Sequence, residues 1–228
     1  MKEFTHFTAW SDIEPVISEY AIPHRGILQI GAFGGYEFNG HFQAGFTYIA
    51  AFEPQPQFNM ELTQIQVPSG CRLDIFDYGL GDHEGEFPLF IPPPPHFGAA
   101  SFLKQFEYPR TGSPMTPATT IPCRIKRYDA LPEATTINEL CNVVVLDAEG
   151  MELSIARGMG LFLNNVDFDV IVVEVSMLPR AEDGAPSSLE VIDFMTNRGF
   201  IQITDSPSAW AETAAFDMVF LSNRNEWR

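Results

Sequence analysis

Two uninterrupted apolar runs, each with an acidic residue at or near its end, constrain the fold of this chain more than any other feature. They read NVVVLD over residues 142–147 and DVIVVEV over residues 169–175. Such runs are typical of central parallel strands, which are covered on both faces and lack polar alternation. Between them, residues 149–163 carry apolar side chains on one helical stripe. The sequence therefore predicts two neighbouring parallel strands joined by a crossover helix.

The same alternation of strands and helices extends over the rest of the 228-residue chain. Further strands are predicted at residues 26–32, 46–54, 71–80, 200–204 and 216–222, with helices starting at Ser11 and Ser187 and crossing between residues 58 and 65. The pattern predicts one domain over residues 1–228, opening with a helical segment at 1–25. Its fold class is α/β, a doubly wound, mostly parallel and Rossmann-like sheet.

Residues 92–122 break this alternation. They contain eight prolines, including the run PPPPH, and lie between two plausible short strands, GEFPLFI and CRIKRYDAL. Proline stiffens a surface loop, but long loops in compact domains are also often functional. The segment is therefore predicted to be an insertion that is either a plain surface loop or a lid over the active site.

Composition narrows the range of partners. Thirteen Lys and Arg against 30 Asp and Glu give a net charge of −17, which repels phosphate backbones and anionic membranes. The three cysteines form no CxxC pair, the first residues lack a signal-peptide pattern, and no apolar run is long enough to span a membrane. We expect a cytoplasmic protein that binds neither nucleic acid nor membrane.

A glycine-rich turn follows the first predicted strand, in the sequence LQIGAFGGYEF over residues 28–38. Glu53 ends the second strand 22 residues after Gly31, where an acid can accept hydrogen bonds from the ribose hydroxyls of a cofactor. The turn lacks the G-x-G-x-x-G pattern of nicotinamide sites. These residues favour S-adenosylmethionine, which has no pyrophosphate, over a nicotinamide dinucleotide.

Ligands of open parallel sheets bind beyond the carboxyl ends of the strands. The residues expected at that edge are Gly31 to Gly35, Glu53, Asp77, Tyr78, Asp147, Glu149 and Glu174.

Five segments occur in the order typical of the FkbM-like methyltransferases, which the chain resembles from about Gly26 to Phe220. They are LQIGAFGGYEF, YIAAFEPQPQFNMEL, GLGDHEGEFPLF, VVVLDAEGMELSIARGM and DVIVVEV. The resemblance implies the class I methyltransferase fold and S-adenosylmethionine as cofactor. It also implies methyl transfer to a hydroxyl oxygen of a sugar, a glycan or another small metabolite.

The resemblance assigns roles to individual positions. The implied cofactor-binding residues are Gln29, Gly31, Ala32, Phe33, Gly35, Glu53, Pro54, Asp77, Tyr78, Ser101 and Asp147. Asp77 and Tyr78 are expected beside the adenine, and Ser101 near the cofactor or the acceptor. Two positions depart from the family pattern: Gln29 replaces a common aspartate, and Val145 a common lysine.

For catalysis we predict Asp147 as the group that faces the acceptor hydroxyl. Glu149 is expected either to orient Asp147 or to bind the start of the following helix. His96 is the first alternative base. Oxygen ligands suit Mg²⁺, so a divalent metal at the acids stays open, and no metal ligand is assigned.

Two other functions stay open: a methyltransferase-like protein that binds cofactor without turnover, and a nicotinamide-dependent oxidoreductase. The sequence does not indicate the acceptor molecule, the methylated position or the oligomeric state.

Overall fold

The computed structural model describes residues 10–94, 96–103, 106–107, 114–115, 117–176, 185–203 and 215–224. The strands are β1 Gly26–Ile30, β2 Tyr48–Phe52, β3 Arg72–Phe76, β4 Gly79–Leu80, β5 Gly85–Ile91, β6 Phe106–Glu107, β7 Pro114–Met115, β8 Thr119–Lys126, β9 Val143–Leu146, β10 Val170–Ser176, β11 Phe200–Gln202 and β12 Ala215–Ser222. The helices are α1 Trp10–Glu19, α2 Phe38–Ala44, α3 Pro56–Leu62, α4 Ala134–Leu140, α5 Glu152–Gly158 and α6 Ser188–Thr196, with short 3-10 helices at Phe97–Ala99, Tyr128–Ala130 and Gly160–Phe162.

Seven strands form the central sheet in the order β11-β12-β10-β9-β1-β2-β3. All neighbouring pairs from β10 to β3 are parallel, and β12 runs antiparallel to both β10 and β11. The strand order reverses at β1, which lies between β2 and β9. This topology confirms the predicted doubly wound, mostly parallel sheet and places the switch point at the end of β1.

Helices cover both faces of the sheet, and every residue of β1, β2 and β9 is buried. On one face, Ile13 and Ile17 of α1 pack with Val145 of β9 and Val172 of β10. On the other face, the cluster contains Ile30, Leu146, Val173, Ile155 of α5 and Val191 of α6. The continuous apolar runs of the sequence are explained by this two-sided burial.

The predicted strand over residues 71–80 is wrong in its continuity. β3 ends at Phe76, and β4 pairs in a separate three-stranded sheet in the order β4-β8-β5. In that sheet β8 is parallel to β4 and antiparallel to β5. The chain therefore leaves the central sheet after β3 and builds a side sheet before it returns through α4 to β9.

The boundary of the proline-rich segment also differs from the prediction. GEFPLFI forms β5 as expected, but its antiparallel partner β8 already begins at Thr119. Pro122 is therefore a strand residue and lies opposite Pro88. Both prolines fit here because Pro88 lies in the edge strand β5, and because β4 pairs with β8 only at Ile125 and Lys126, which leaves Pro122 outside that pairing. Residues 95, 104–105, 108–113 and 116 of the predicted insertion lie outside the described residues.

Local signals at the helix ends were reliable to different degrees. Ser187 caps α6 through the predicted capping box with Glu190. The first helix begins at Trp10, one residue before the predicted Ser11. Residues 1–9 of the predicted N-terminal segment and Thr204 of a predicted strand lie outside the described residues. Two helices, α2 and α4, were not predicted. Within the described ranges, no helix is both long and apolar enough to cross a membrane.

Candidate functional site

A cleft opens at the carboxyl ends of β1, β2, β9 and β10, where the switch point predicts a ligand site. Its empty space, including the part open to solvent, is about 1210 Å³. The side sheet and the start of the proline-rich segment form the opposite wall. The lining residues are Gln29 to Phe33, Gly35 to Phe38, Phe52 to Gln55, Gly79, Leu80, Leu89, Gly98, Ala100, Phe102, Asp147 to Glu149, Met151, Ile155 and Glu174.

The glycine of the first turn is required by the chain itself. Gly31 has a φ of +84°, and a Cβ atom on it would lie 1.6 Å from the backbone oxygen of Asp147. No side chain fits there, because β1 and β9 are neighbours and the two strand ends touch. Gly31 therefore holds the first turn against the acid-bearing loop.

Two residues of the cleft other than glycine adopt left-handed backbone conformations. Phe33 has a φ of +46° and Glu149 a φ of +52°. Such conformations cost free energy for residues with a Cβ atom and concentrate at functional sites. Both residues line the cleft.

Glu53 is held in one position by the backbone. Its Oε2 accepts a hydrogen bond from the N–H of Phe33 at 2.8 Å, and its Oε1 accepts one from the N–H of Gln55 at 2.8 Å. The residue is only 4% exposed, and burial raises the pKa of its carboxyl to about 7 although both hydrogen bonds lower it. Each oxygen keeps a further lone pair for a ligand hydroxyl in the cleft.

These hydrogen-bond acceptors fit the predicted cofactor. A carboxylate fixed on the second strand offers two acceptors for ribose hydroxyls, and the turn around Gly31 brings backbone to the same place. Gln29, which is 6% exposed, adds a buried side-chain oxygen that lines the cleft and has no hydrogen-bond partner among the described residues. A buried acceptor in this state is stabilised by a donor from a bound molecule.

Three acids converge at the ends of β9 and β10. Asp147, Glu149 and Glu174 each present a carboxylate oxygen, and these oxygens all lie within 4.8 Å of one another. Asp147 and Glu149 were predicted as the catalytic pair, and Glu174 as a strand-end acid of the ligand edge. The fold brings the three together because β9 and β10 are adjacent and parallel.

The charges around Glu174 oppose its ionisation. Loss of solvent around its carboxyl and the neighbouring charges of Asp147, Glu149, Glu152 and Asp217 raise its pKa well above the ordinary value. Like charges at this spacing favour a proton or another cation between them.

Sequence reasoning missed the role of Glu152. This residue is 2% exposed, and its Oε1 accepts hydrogen bonds from the N–H groups of Ala148 and Gly150, each at 3.0 Å. Burial raises the pKa of its carboxyl to about 7. The acid that binds the loop before α5 is therefore Glu152, whereas Glu149 carries its side chain into the acid cluster. The only sequence signal was an acid in the first helical turn.

Ser101 connects the proline-rich segment to the acid loop. It is 2% exposed, and its hydroxyl donates to the backbone oxygen of Glu149 at 2.7 Å and accepts from the N–H of Leu103 at 3.0 Å. Its own side chain is not among the residues that line the cleft, but Ala100 and Phe102 on either side of it are.

Three other predicted residues lie away from the cleft lining. Asp77 is exposed and forms an ion pair with Arg124 at 3.2 Å. Tyr78 is buried under the amine of Lys126, which lies 3.9 Å from the ring centre. His96 is partly exposed and precedes Gly98, which does line the cleft. Their assignments to the adenine and to catalysis stay predictions. The other predicted cofactor residues, Gln29, Gly31, Ala32, Phe33, Gly35, Glu53, Pro54 and Asp147, all line it.

The sequence of the cleft-bearing region decides the family. The Methyltransferase FkbM domain matches residues 29–201, well over half of the chain. This chain belongs to the FkbM methyltransferase family. Membership confirms the resemblance found in the sequence and, with the sheet topology, the class I methyltransferase fold. It also supports S-adenosylmethionine as the cofactor of this FkbM-family protein.

The chain is similar to solved methyltransferase structures at low sequence identity. The magnesium protoporphyrin IX methyltransferase from Synechocystis PCC 6803 with bound S-adenosylmethionine is 10% identical, with a TM-score of 0.49 over 93% of this chain and 78% of that chain. An rRNA methylase from Streptococcus thermophilus is 9% identical, with a TM-score of 0.48 over 93% and 96%. No curated protein is significantly similar to the chain in sequence.

Proposed function

We propose that this methyltransferase transfers the methyl group of S-adenosylmethionine to a hydroxyl oxygen of a sugar, a glycan or another small metabolite. The observation that carries the proposal is the convergence of Asp147, Glu149 and Glu174 in a cleft that Glu53 also lines. A hydroxyl is a weak nucleophile, and its attack is assisted by a group that takes its proton. A carboxylate beside the acceptor hydroxyl can take that proton.

Two groups of residues in the cleft have separate tasks. When bound, S-adenosylmethionine supplies a methyl group whose bond to the positive sulfur breaks as the acceptor oxygen attacks. Glu53 holds the ribose hydroxyls. Asp147 accepts the proton of the acceptor hydroxyl, while Glu149 and Glu174 keep the acceptor's polar groups in place.

The acceptor class is supported by charge. With 30 acidic against 13 basic residues, the chain repels polyanions, whereas a neutral polyhydroxylated molecule can donate hydrogen bonds to the acidic cluster. Acceptors for the test should therefore include neutral sugars, small phenols and, as a contrast, structured RNA. Transfer of labelled methyl to the RNA alone would overturn the acceptor assignment.

Cofactor titrations separate the proposed function from its alternatives. The full chain should bind S-adenosylhomocysteine with micromolar affinity in a calorimetric titration and should show no heat with NAD. Binding of NAD instead would identify an oxidoreductase. Binding of S-adenosylhomocysteine with no methyl transfer to any acceptor of the panel would indicate a cofactor-binding protein without turnover.

The proline-rich segment is proposed to shape the acceptor side of the cleft as a lid. Gly98, Ala100 and Phe102 line the cleft, and Ser101 ties this stretch to Glu149. Ser101→Ala should raise the Michaelis constant of the acceptor several-fold and leave the affinity for S-adenosylhomocysteine unchanged. Equal loss of both affinities would assign the segment to the cofactor half of the site.

A further inference from the structure

The acid cluster has the dimensions of a cation site. One carboxylate oxygen from each of Asp147, Glu149 and Glu174 lies within 4.8 Å of the other two. Two oxygens that bind the same Ca²⁺ can be separated by at most about 5 Å, and two that bind the same Mg²⁺ by about 4 Å. The cluster therefore accommodates Ca²⁺ or Mg²⁺ after side-chain shifts of less than about 1 Å.

A second, independent observation comes from Gln29. Its side chain alternates with the core residues Leu28 and Ile30, so it lies on the opposite face of β1, the face that α1 covers. Glu174 lies on the same face, because its neighbours Val173 and Val175 both belong to the other core cluster. The buried oxygen of Gln29 lines the same cleft and has no partner among the described residues. An amide oxygen binds hard cations directly or accepts a hydrogen bond from a water on the cation.

The register of the sheet brings these groups to one edge. Gln29 lies opposite Val145 in β9, and Val145 lies opposite Val172 in β10. Two residues further along, β9 leads to Asp147 and β10 reaches Glu174. The amide and the acids therefore occupy neighbouring strand ends, and not merely the same surface.

We propose that Asp147, Glu149 and Glu174 bind one hard divalent cation, Mg²⁺ or Ca²⁺, with Gln29 as a direct or water-mediated fourth contact. The role of this cation rests on the proposed function: it holds the acceptor hydroxyl beside Asp147 and makes its proton easier to remove. One carboxylate oxygen of Asp147 then binds the cation, and the other accepts the proton of the acceptor hydroxyl.

The test uses the full chain, freed of metal with a chelator and saturated with S-adenosylhomocysteine at pH 8. Binding of MgCl₂ and CaCl₂ is measured by calorimetric titration. Binding of Mn²⁺, which also prefers oxygen ligands, is measured by the decrease of the electron paramagnetic resonance signal of free Mn²⁺. Wild type should bind one cation. Glu174→Gln should bind it at least tenfold more weakly, and the matched control Glu139→Gln, at an exposed position of α4, should bind it like wild type.

Folding of the variants is checked by thermal melting without metal. Glu174→Gln removes one of several like charges and should melt at or above the wild-type temperature. Glu149→Gln provides a second, independent loss of a ligand and should weaken cation binding as well. Absence of cation binding in wild type, or binding that neither variant weakens, would overturn the proposed site.

The cofactor titration keeps the two proposals apart. Binding of S-adenosylhomocysteine without any cation leaves the methyltransferase intact and overturns the metal site. Cation binding that both variants weaken supports the metal site even where S-adenosylhomocysteine does not bind, and in that case the proposed function fails instead.

Discussion

Glu53 at the end of β2 and Glu174 in β10 are both acids of the cleft with raised pKa values, but their surroundings differ. Glu53 is surrounded by donors, because the N–H groups of Phe33 and Gln55 each bond one of its oxygens. Glu174 is surrounded by other acids, of which Asp147 and Glu149 are the nearest along the cleft. The cofactor half is thus completed by the chain's own backbone. We propose that the chemical half, formed by Asp147, Glu149 and Glu174, takes up a positive charge from a bound molecule, as a proton, a cation or a donor group of the acceptor.

The largest effect is expected from a change at Gly31, whose backbone contacts that of Asp147 and so joins the cofactor half to the chemical half. Gly31→Ala places a Cβ atom 1.6 Å from the backbone oxygen of Asp147, so the strand ends must separate. We expect the free energy of unfolding to fall by about 3 kcal/mol or more in urea titrations.

Gly70→Ala is the matched control for that change. Gly70 has the same φ of +84°, and nothing lies within 4 Å of the position of its Cβ atom. It should cost only about 1 kcal/mol, the usual penalty of the backbone conformation. Equal losses of unfolding free energy in Gly31→Ala and Gly70→Ala would show that the close contact of Gly31 with Asp147 does not contribute to stability.

A change confined to the chemical half should affect turnover and not cofactor binding. Asp147→Asn should lower the turnover number by about 10²-fold or more, because an amide cannot accept the acceptor's proton. Its affinity for S-adenosylhomocysteine should stay within about twofold of wild type. Asp193→Asn, at an exposed position of α6, serves as the control. Full turnover by Asp147→Asn would shift the base elsewhere, and His96 would be tested first.

A change confined to the cofactor half should do the reverse. Glu53→Ala should weaken the binding of S-adenosylhomocysteine about tenfold or more, since a lost charge-assisted hydrogen bond costs about 1.5 kcal/mol or more. Calorimetry measures this directly, and Glu86→Ala, at an exposed position of β5, is the control. Unchanged affinity in Glu53→Ala would contradict the assignment of the ribose to this end of the cleft.

The smallest effect concerns pH and Glu152, which supports the acid loop. Its folded-state pKa of about 7 lies above the ordinary value of 4.5. Its contribution to stability is therefore fully present below about pH 4.5 and is lost as the pH rises through 7. Glu152→Gln keeps an acceptor for the N–H groups of Ala148 and Gly150 but cannot ionise.

Urea titrations at pH 5 and pH 8 check this expectation. Relative to Glu152→Gln, wild type should lose on the order of 1 kcal/mol of unfolding free energy between these two values. The difference between the proteins isolates Glu152 from the other acids of the chain. A difference that grows in favour of wild type at pH 8 would contradict the direction of the pKa shift.

The sequence predicts the sheet well because its signals are local. NVVVLD and DVIVVEV are buried on both faces and read directly as central strands, and the capping box at Ser187 needs only four residues. Glu53 could be found in the same way, from its distance to the glycine turn. The break after β3 could not, because Gly79 and Leu80 leave the central sheet only to pair with β8, more than forty residues later.

The acid end of the cleft depends on contacts between distant residues. The sequence places Glu174 at a strand end, but its closeness to Asp147 requires that β9 and β10 be neighbours. Gly31 looks like a glycine that makes room for a ligand, yet the atom nearest to its missing side chain belongs to Asp147. Glu152 looks like an ordinary acid of a first helical turn, and only the folded loop shows that it binds two backbone N–H groups.

The side sheet affects how the sequence of such a protein can evolve. β5 and β8 are paired along seven residues each, so the stretch that leaves at Ile91 and returns at Thr119 departs from and rejoins the same small frame. Insertions or deletions between these two points lengthen or shorten a hairpin and leave the seven-stranded sheet untouched. Because Gly98, Ala100 and Phe102 of that stretch border the cleft, and because we propose that the stretch shapes its acceptor side, we expect mutations there to change the acceptor and to leave the binding of the methyl donor unaltered.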